Sequence, residues 1–236
     1  FVGGFASNFG YTNRHIRYQG RELMFHVEKQ FKTDVLALPK VVRLTEDGRL
    51  RAFFNEDLYK LNTETLVSPE KPAGFVDLPP SAFAWPLVMG EWKQENGLYV
   101  GSCPSWQTGM LGVEAHNVHI EAKLDLSACR AAGFALYSSD NNGALRRYVV
   151  LAEPEKGRVM VTEPYDFPRH VVREYAFRKP SCHLRVMFID DGLEAYVDDE
   201  FLISLKLENL GHNHIGLFVD RGEVRMEALS VYRVEE

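Results

Sequence analysis

The stretch from His183 to Leu207 constrains the fold most. Leu184, Val186 and Phe188 alternate with Arg185, Met187 and Ile189, and after Asp190-Asp191-Gly192 the residues Leu193, Ala195 and Val197 alternate again. Period two puts one set of side chains on one face of a strand. Asp-Gly at the break marks a tight hairpin, with Gly192 expected to take the positive φ that such a turn needs. Asp198-Asp199-Glu200 then turns the chain into a third strand from Phe201 to Leu207. Three strands joined by short turns make an antiparallel meander, the unit of a β-sandwich or barrel.

The remainder follows the same rule. Val118, Ile120, Ala122 and Leu124 share one face of a strand, and Gly133 to Tyr137 forms another that ends in a loop from Ser138 to Gly143. Tyr148 to Leu151 pairs with Arg158 to Val161 across Glu155-Lys156-Gly157. Two last strands, Ile215 to Val219 and Val224 to Val234, are separated by an expected turn at Asp220-Arg221-Gly222. No helix of any length is convincing, and no solenoid or propeller-blade period shows in this part. Short strands at roughly ten-residue spacing predict a two-sheet antiparallel β-sandwich over residues 87–236. Residues 1–66 read as hairpins, one of them turned at Glu46-Asp47-Gly48, with Glu56 to Leu61 a helical turn or an extended connector. Hairpins of about 60 residues make a marginal domain on their own. Between the two units, residues 67–86 hold Pro69, Pro72, Pro79, Pro80 and Pro86, five of the eleven prolines. That density marks a linker, and a strap if it packs against both sides.

Composition excludes several classes. The formal net charge is -6, with both signs interspersed and no basic stripe, so nucleic acid is not an expected partner. No apolar run reaches spanning length. Cys103, Cys129 and Cys182 are an odd, sparse set without metal-ligand spacing, and they read as small buried hydrophobes. No cofactor or metal is expected. The first residue is Phe and no basic-then-apolar leader follows, so we expect the chain to start after a processing event or upstream residues. The compartment stays open between cytoplasmic and secreted.

Several segments resemble glycoside hydrolase family 32, the invertase, levanase and inulinase group. His183-Leu184-Arg185-Val186 with Asp190 to Asp199 is similar to that family's LRV-like strand, short turn and following strand in its C-terminal sandwich. Leu36-Ala37-Leu38-Pro39-Lys40-Val41-Val42 with Asp47-Gly48-Arg49-Leu50 is similar to the segment that closes its propeller, although Lys40 stands where Arg is usual and Phe53-Phe54-Asn55 replaces Gln-x-Pro. The resemblance implies a concanavalin-like sandwich preceded by the last strands of a five-bladed propeller (1–66), a linker (67–86) and the sandwich (87–236). It also implies that the parent is a β-fructofuranosidase-like enzyme and that the catalytic propeller of the same gene product is the main partner. The family's catalytic motifs, Asn-Asp-Pro-Asn-Gly-like, Arg-Asp-Pro and Glu-Cys-like, do not occur here, so no catalytic residue is nominated and the fragment is expected to be inactive alone.

Three groups of residues are candidates for chemistry. Trp85, Trp92, Trp106 and Tyr137, with the loop residues Asp140 and Asn142, are set out as a fructan- or glycan-binding group. Aromatic rings stack on sugar faces, and acids and amides bond the hydroxyls. The competing reading is that the tryptophans pack one domain against the other. Asp190, Asp191, Asp198 and Asp199 have the oxygen chemistry of a Ca²⁺ site but are better explained as turn residues. His116, His119, His212 and His214 lack the supporting spacing of a zinc site. A surface for homodimerisation is a further reading of the sandwich.

Overall fold

A computed structural model describes residues 10–30, 33–76, 91–141, 144–162 and 171–235. Its strands are β1 (Gly10–Tyr18), β2 (Arg21–Gln30), β3 (Thr33–Leu36), β4 (Lys40–Leu44), β5 (Leu50–Phe53), β6 (Asn62–Val67), β7 (Glu91–Glu95), β8 (Leu98–Ala115), β9 (Val118–Ser139), β10 (Leu145–Glu153), β11 (Arg158–Thr162), β12 (Val171–Glu174), β13 (Ser181–Ile189), β14 (Gly192–Val197), β15 (Glu200–Lys206) and β16 (His212–Val234). A 3-10 helix, Glu56–Leu61, joins β5 to β6, with the Asn55 side chain capping its first turn.

All pairs are antiparallel and the sheet folds into two layers. Layer A runs β7, β8, the first half of β16, the second half of β9, β10, β11 and β12. Layer B runs β6, the end of β16, the first half of β9, β13, β14 and β15. The strands β9 and β16 therefore belong to both layers. Between the layers lies one apolar core. Val118, Ile120, Ala122 and Leu124 supply it from β9, as their alternation predicts, and Phe134 and Leu136 supply it from the other half of the same strand. Tyr148 of β10 meets Phe188 of β13 edge to face at 5.8 Å, which joins the two layers directly.

The meander from β13 to β15 forms where its alternation places it, but its turns work differently. Ile189 pairs with Gly192 and Val197 with Glu200, so each hairpin has a two-residue loop. Positive φ falls on Asp190 (50°) and on both Asp198 (48°) and Asp199 (65°), not on Gly192. Aspartate tolerates the left-handed region better than most side chains, and Asp198 is anchored there because its Oδ1 accepts from His183 N at 2.9 Å.

The expected turn at Asp220-Arg221-Gly222 is instead a bulge inside β16. Gly222 still pairs with Cys103 on one side and Cys129 on the other, so the chain keeps its direction. Arg221 has φ 50° and Gly222 φ 109°. A Cβ on Gly222 would come within 1.9 Å of Ala128 O, so only glycine fits at this crossing from layer A to layer B. The three cysteines are buried and unbridged.

The β unit formed by β1 to β5 joins layer B through the pair Glu200 and Phe53. Asn62–Val67, which the sequence reading divides between the first unit (1–66) and the linker (67–86), pairs with β16 and so forms the edge of layer B. Of the proline-rich stretch, residues 68–76 are described, and they lie strapped to β8. Tyr99 Oη bonds both Ala73 N and Ala73 O, and Val76 N donates to Met110 O at 2.9 Å. Residues 77–86 lie outside the described residues.

Phe188 is fully buried between the layers. Truncation to Ala (F188A) should cost about 3–5 kcal/mol of unfolding free energy, measured by urea denaturation, and a loss below about 1 kcal/mol would show that the layers do not pack there.

Candidate functional site

The outer faces of the two layers carry different chemistry. Layer B is covered by the β unit. Met24 and Ala52 from that unit, with Phe54 and Leu58 from the connector that follows it, pack on Met187, Tyr196 and Phe201 of the meander. Alternation placed Arg185 and Met187 on the outer face, and it is this second cover that buries them.

Polar groups are locked into that seam. The Arg185 side chain is only 5% exposed. Its Nε donates to Glu121 Oε2 at 2.8 Å, one terminal nitrogen reaches Asp199 Oδ1 at 2.6 Å and the other reaches Tyr59 Oη at 2.7 Å. The guanidinium lies 3.7 Å from the centre of the Phe54 ring. Tyr59, on the 3-10 helix, donates in turn to Glu121 Oε2 at 2.8 Å. Beside this group Lys40 Nζ, fully buried, bonds Leu38 O and the Glu194 carboxylate, while Tyr196 Oη holds the other Glu194 oxygen. Further out, Arg51 makes a fork to Glu200 at 2.7 and 2.9 Å.

Burial pushes the Glu121 carboxyl up, but His119 and the Arg185 guanidinium outweigh it and bring the group to about 2. Burial holds His119 below its ordinary value, and burial with the Arg185 charge does the same to His183. Glu121 therefore stays an anion whose charge is met by Arg185. It is a structural counter-ion with no proton to trade near neutrality.

The outer face of layer A is different. Register places Trp106, Thr108 and Met110 of β8 beside Phe218 and Asp220 of β16, Ala131, Ala135 and Tyr137 of β9, and Arg147, Val149, Leu151 and Glu153 of β10. The sheet curls enough for side chains from distant corners to meet. The Arg147 guanidinium carbon is 5.3 Å from the Trp106 ring centre and 5.8 Å from that of Tyr137. Beneath lies an apolar patch of Met110, Ala135, Val149, Leu151 and Phe218.

Two acids share this face but neither is poised for hydrolysis. Asp220 is ion-paired with Arg130. Burial raises the Glu153 carboxyl, yet hydrogen bonds from Lys156 and Arg158 outweigh it and hold the group below the usual range. A glycosidase acid must keep its proton at working pH, and a carboxylate clamped by two cations does not.

Of the residues set out as a glycan-binding group, the structure brings Trp106 and Tyr137 onto one face through Arg147. Trp92 lies elsewhere: its ring fills the space over Gly101 and Gly109 with Phe75 5.7 Å away, on the core side of β8. Asp140 closes the loop after β9, its Oδ1 accepting from Ala144 N at 2.8 Å. Trp85 and Asn142 lie outside the described residues. Among the described residues no group of three His, Cys, Asp or Glu side chains could hold a metal ion. His119 faces Asn62 and Glu121, and His214 lies 3.4 Å from Glu114. Sequence reasoning missed Arg147 and Thr108, which precede or follow unremarkable residues. It also missed the Arg185 seam, for which the one available signal was apolar Met187 on a face expected to meet water.

No protein-family model matches the chain, and no curated protein matches it in sequence. Solved structures do match in fold. A Bombyx mori GH32 beta-fructofuranosidase is 15% identical with a TM-score of 0.58, and the match covers 97% of this chain and 41% of that one. A fructofuranosidase from Schwanniomyces occidentalis is 8% identical with a TM-score of 0.61, covering 99% of this chain and 49% of that one. A carbohydrate binding module, CBM66, from Bacillus subtilis is 15% identical with a TM-score of 0.51, covering 61% of this chain and 92% of that one. This chain has the fold found in part of those glycoside hydrolases and in that module, and it spans less than half the length of the two enzymes.

The seam sets an acid limit on stability. For His119, His183 and Glu121 the unfolded chain binds protons more readily than the folded one, so stability is full above about 6.5, falls first through the histidines and falls again from 4.5 toward about 2 through Glu121. Melting temperatures measured between about pH 7 and 5 should drop, and the drop should be shallower in the H119N/H183N double variant. An unchanged slope in that variant would contradict this assignment.

Proposed function

We propose that this chain is the C-terminal, non-catalytic part of a glycoside hydrolase of the β-fructosidase kind, with the sandwich as the fixed structural partner of the β unit that precedes it. On this reading the β unit is the closing segment of a catalytic propeller, and catalysis belongs to that propeller. The observation that carries the reading is the Arg185 seam. A buried guanidinium bonded at once to Glu121 and Asp199 of the sandwich and to Tyr59 of the 3-10 helix holds one relative placement of the two parts. Removing the Tyr59 side takes a hydrogen bond and the Phe54 cover from the guanidinium, and removing Arg185 leaves the Glu121 charge unmet. The coverage of the fold matches points the same way, since the two fructofuranosidases match the β unit as well as the sandwich, whereas the binding module matches a portion the size of the sandwich.

Two results test this. The purified chain should release no sugar from sucrose, levan or inulin, and turnover that survives repurification would contradict it. The substitution R185M should cost about 3–5 kcal/mol in chemical denaturation, because it strands the Glu121 charge. A cost below about 0.5 kcal/mol would mean that the seam does not hold the parts together.

A further inference from the structure

We infer that the 3-10 helix Glu56–Leu61 and its cap residue Asn62 form an acid-released latch on layer B, with His119 as the group that takes the proton. The inference uses the seam of the scaffold reading but not the hydrolase parentage, and it concerns the connector, not the β unit as a whole.

An unmet proton site lies under the latch. His119 of β9 is fully buried. Its Nδ1 lies 3.2 Å from Asn62 Oδ1, an acceptor, so Nδ1 carries the one proton of the neutral ring. Nε2 is then a bare lone pair with no hydrogen-bond partner among the described residues, 3.6 Å from Glu121 Oε2. That oxygen already accepts from Arg185 Nε and Tyr59 Oη, each at 2.8 Å. An imidazolium here competes with Tyr59 for one oxygen.

The surroundings decide which state the proton favours. In the closed seam the rings of Tyr59, Tyr232 and Phe54 wall the imidazole at 5.3, 5.3 and 5.8 Å. The charged or titratable groups around it are Glu121 on its own strand, His183 and Arg185 on β13, Tyr59 on the latch and Tyr232 on β16. Protonation therefore adds a cation beside Arg185, in a place without water. Burial outweighs the Glu121 carboxylate and holds His119 below its ordinary value. Lifting the latch takes away Tyr59 and Asn62, lets water reach the ring and frees Glu121 Oε2 for the Nε2 proton. The open form binds the proton more readily, so its population rises as pH falls below about 6.5. The latch gives way first because it is a single six-residue 3-10 segment with Tyr59 37% exposed, whereas β9 and β13 are paired along both edges.

Hydrogen exchange of the whole chain at about pH 7.5 and 5.5, read as opening constants corrected for intrinsic rates, tests the latch. The reporters are the Leu58 amide, bonded to Asn55 O at 2.9 Å, and the Asn62 amide, bonded to Tyr59 O. Their opening constant should rise about tenfold between the two pH values and exceed that of Val186 and Leu193 at both. H119N and H119F should each abolish the rise. H119F keeps a ring among the three aromatics, so the result does not hang on one variant folding. No rise in the unsubstituted chain, opening of these amides only together with the meander, or a rise kept in either variant would overturn the inference. The scaffold reading fails on other amides, those of Val42 and Ala52, so the two failures are told apart.

Discussion

β9 and β16 are each shared by both layers, and the rest of the molecule is arranged around that sharing. They are 22 and 23 residues long, against four to ten for most of their neighbours, and they pair with each other along nearly their whole length. A strand in both layers must bend, and the bend is built where Gly222 passes Ala128 with no room for a side chain. Once it bends, each strand delivers its inward residues to one core from two sides. Val118, Ile120, Ala122 and Leu124 face Phe134 and Leu136 across that core, all from β9, and Leu217 and Val219 face Met226 and Val231, all from β16. Each such buried aliphatic or aromatic side chain contributes about 1.5–3 kcal/mol, so losing the bend would cost many contacts at once.

Closing the core this way leaves two outer faces, and their chemistries diverge. Layer B meets the β unit through apolar contacts with charges set into them. Buried ion pairs add little net stability, since desolvation offsets attraction, but they penalise any placement that leaves them unpaired. Lys40 with Glu194, and Tyr59 with Arg185, therefore act chiefly on orientation, while Phe54, Leu58, Met187 and Tyr196 supply adhesion. Layer A carries on its outward side a second cluster, Met110, Ala135, Val149, Leu151 and Phe218, all buried. Its polar groups converge around Arg147 and Trp106 above an apolar floor, where one hydroxyl is left without a partner.

Much of this was readable from residue order alone. The meander β13 to β15 and the β10–β11 hairpin follow from strict alternation and short polar breaks. The long strands were not readable, because a bulge and a turn use the same residues. Asp220-Arg221-Gly222 has turn composition, and only the pairing of Gly222 with two neighbours shows that the strand continues. The Arg185 seam was hidden for a related reason. Alternation separates two faces but does not say that the second is also covered, and Lys40, which pairs with Glu194, lies 154 positions away. Of the aromatic group, Trp92 turned toward the core, where its ring occupies the space that Gly101 and Gly109 leave, which residue type alone does not reveal.

The central claim is that the β unit and the sandwich are one folded body, joined across the outer face of layer B. Native-state hydrogen exchange of the whole chain tests it most directly. The account predicts that amides of Val42 and Ala52, paired within the β unit, exchange with the same opening free energy as those of Val186 and Leu193 in the meander. Exchange at Val42 and Ala52 that is orders of magnitude faster, with the meander still protected, would show that the β unit opens on its own and would contradict the account.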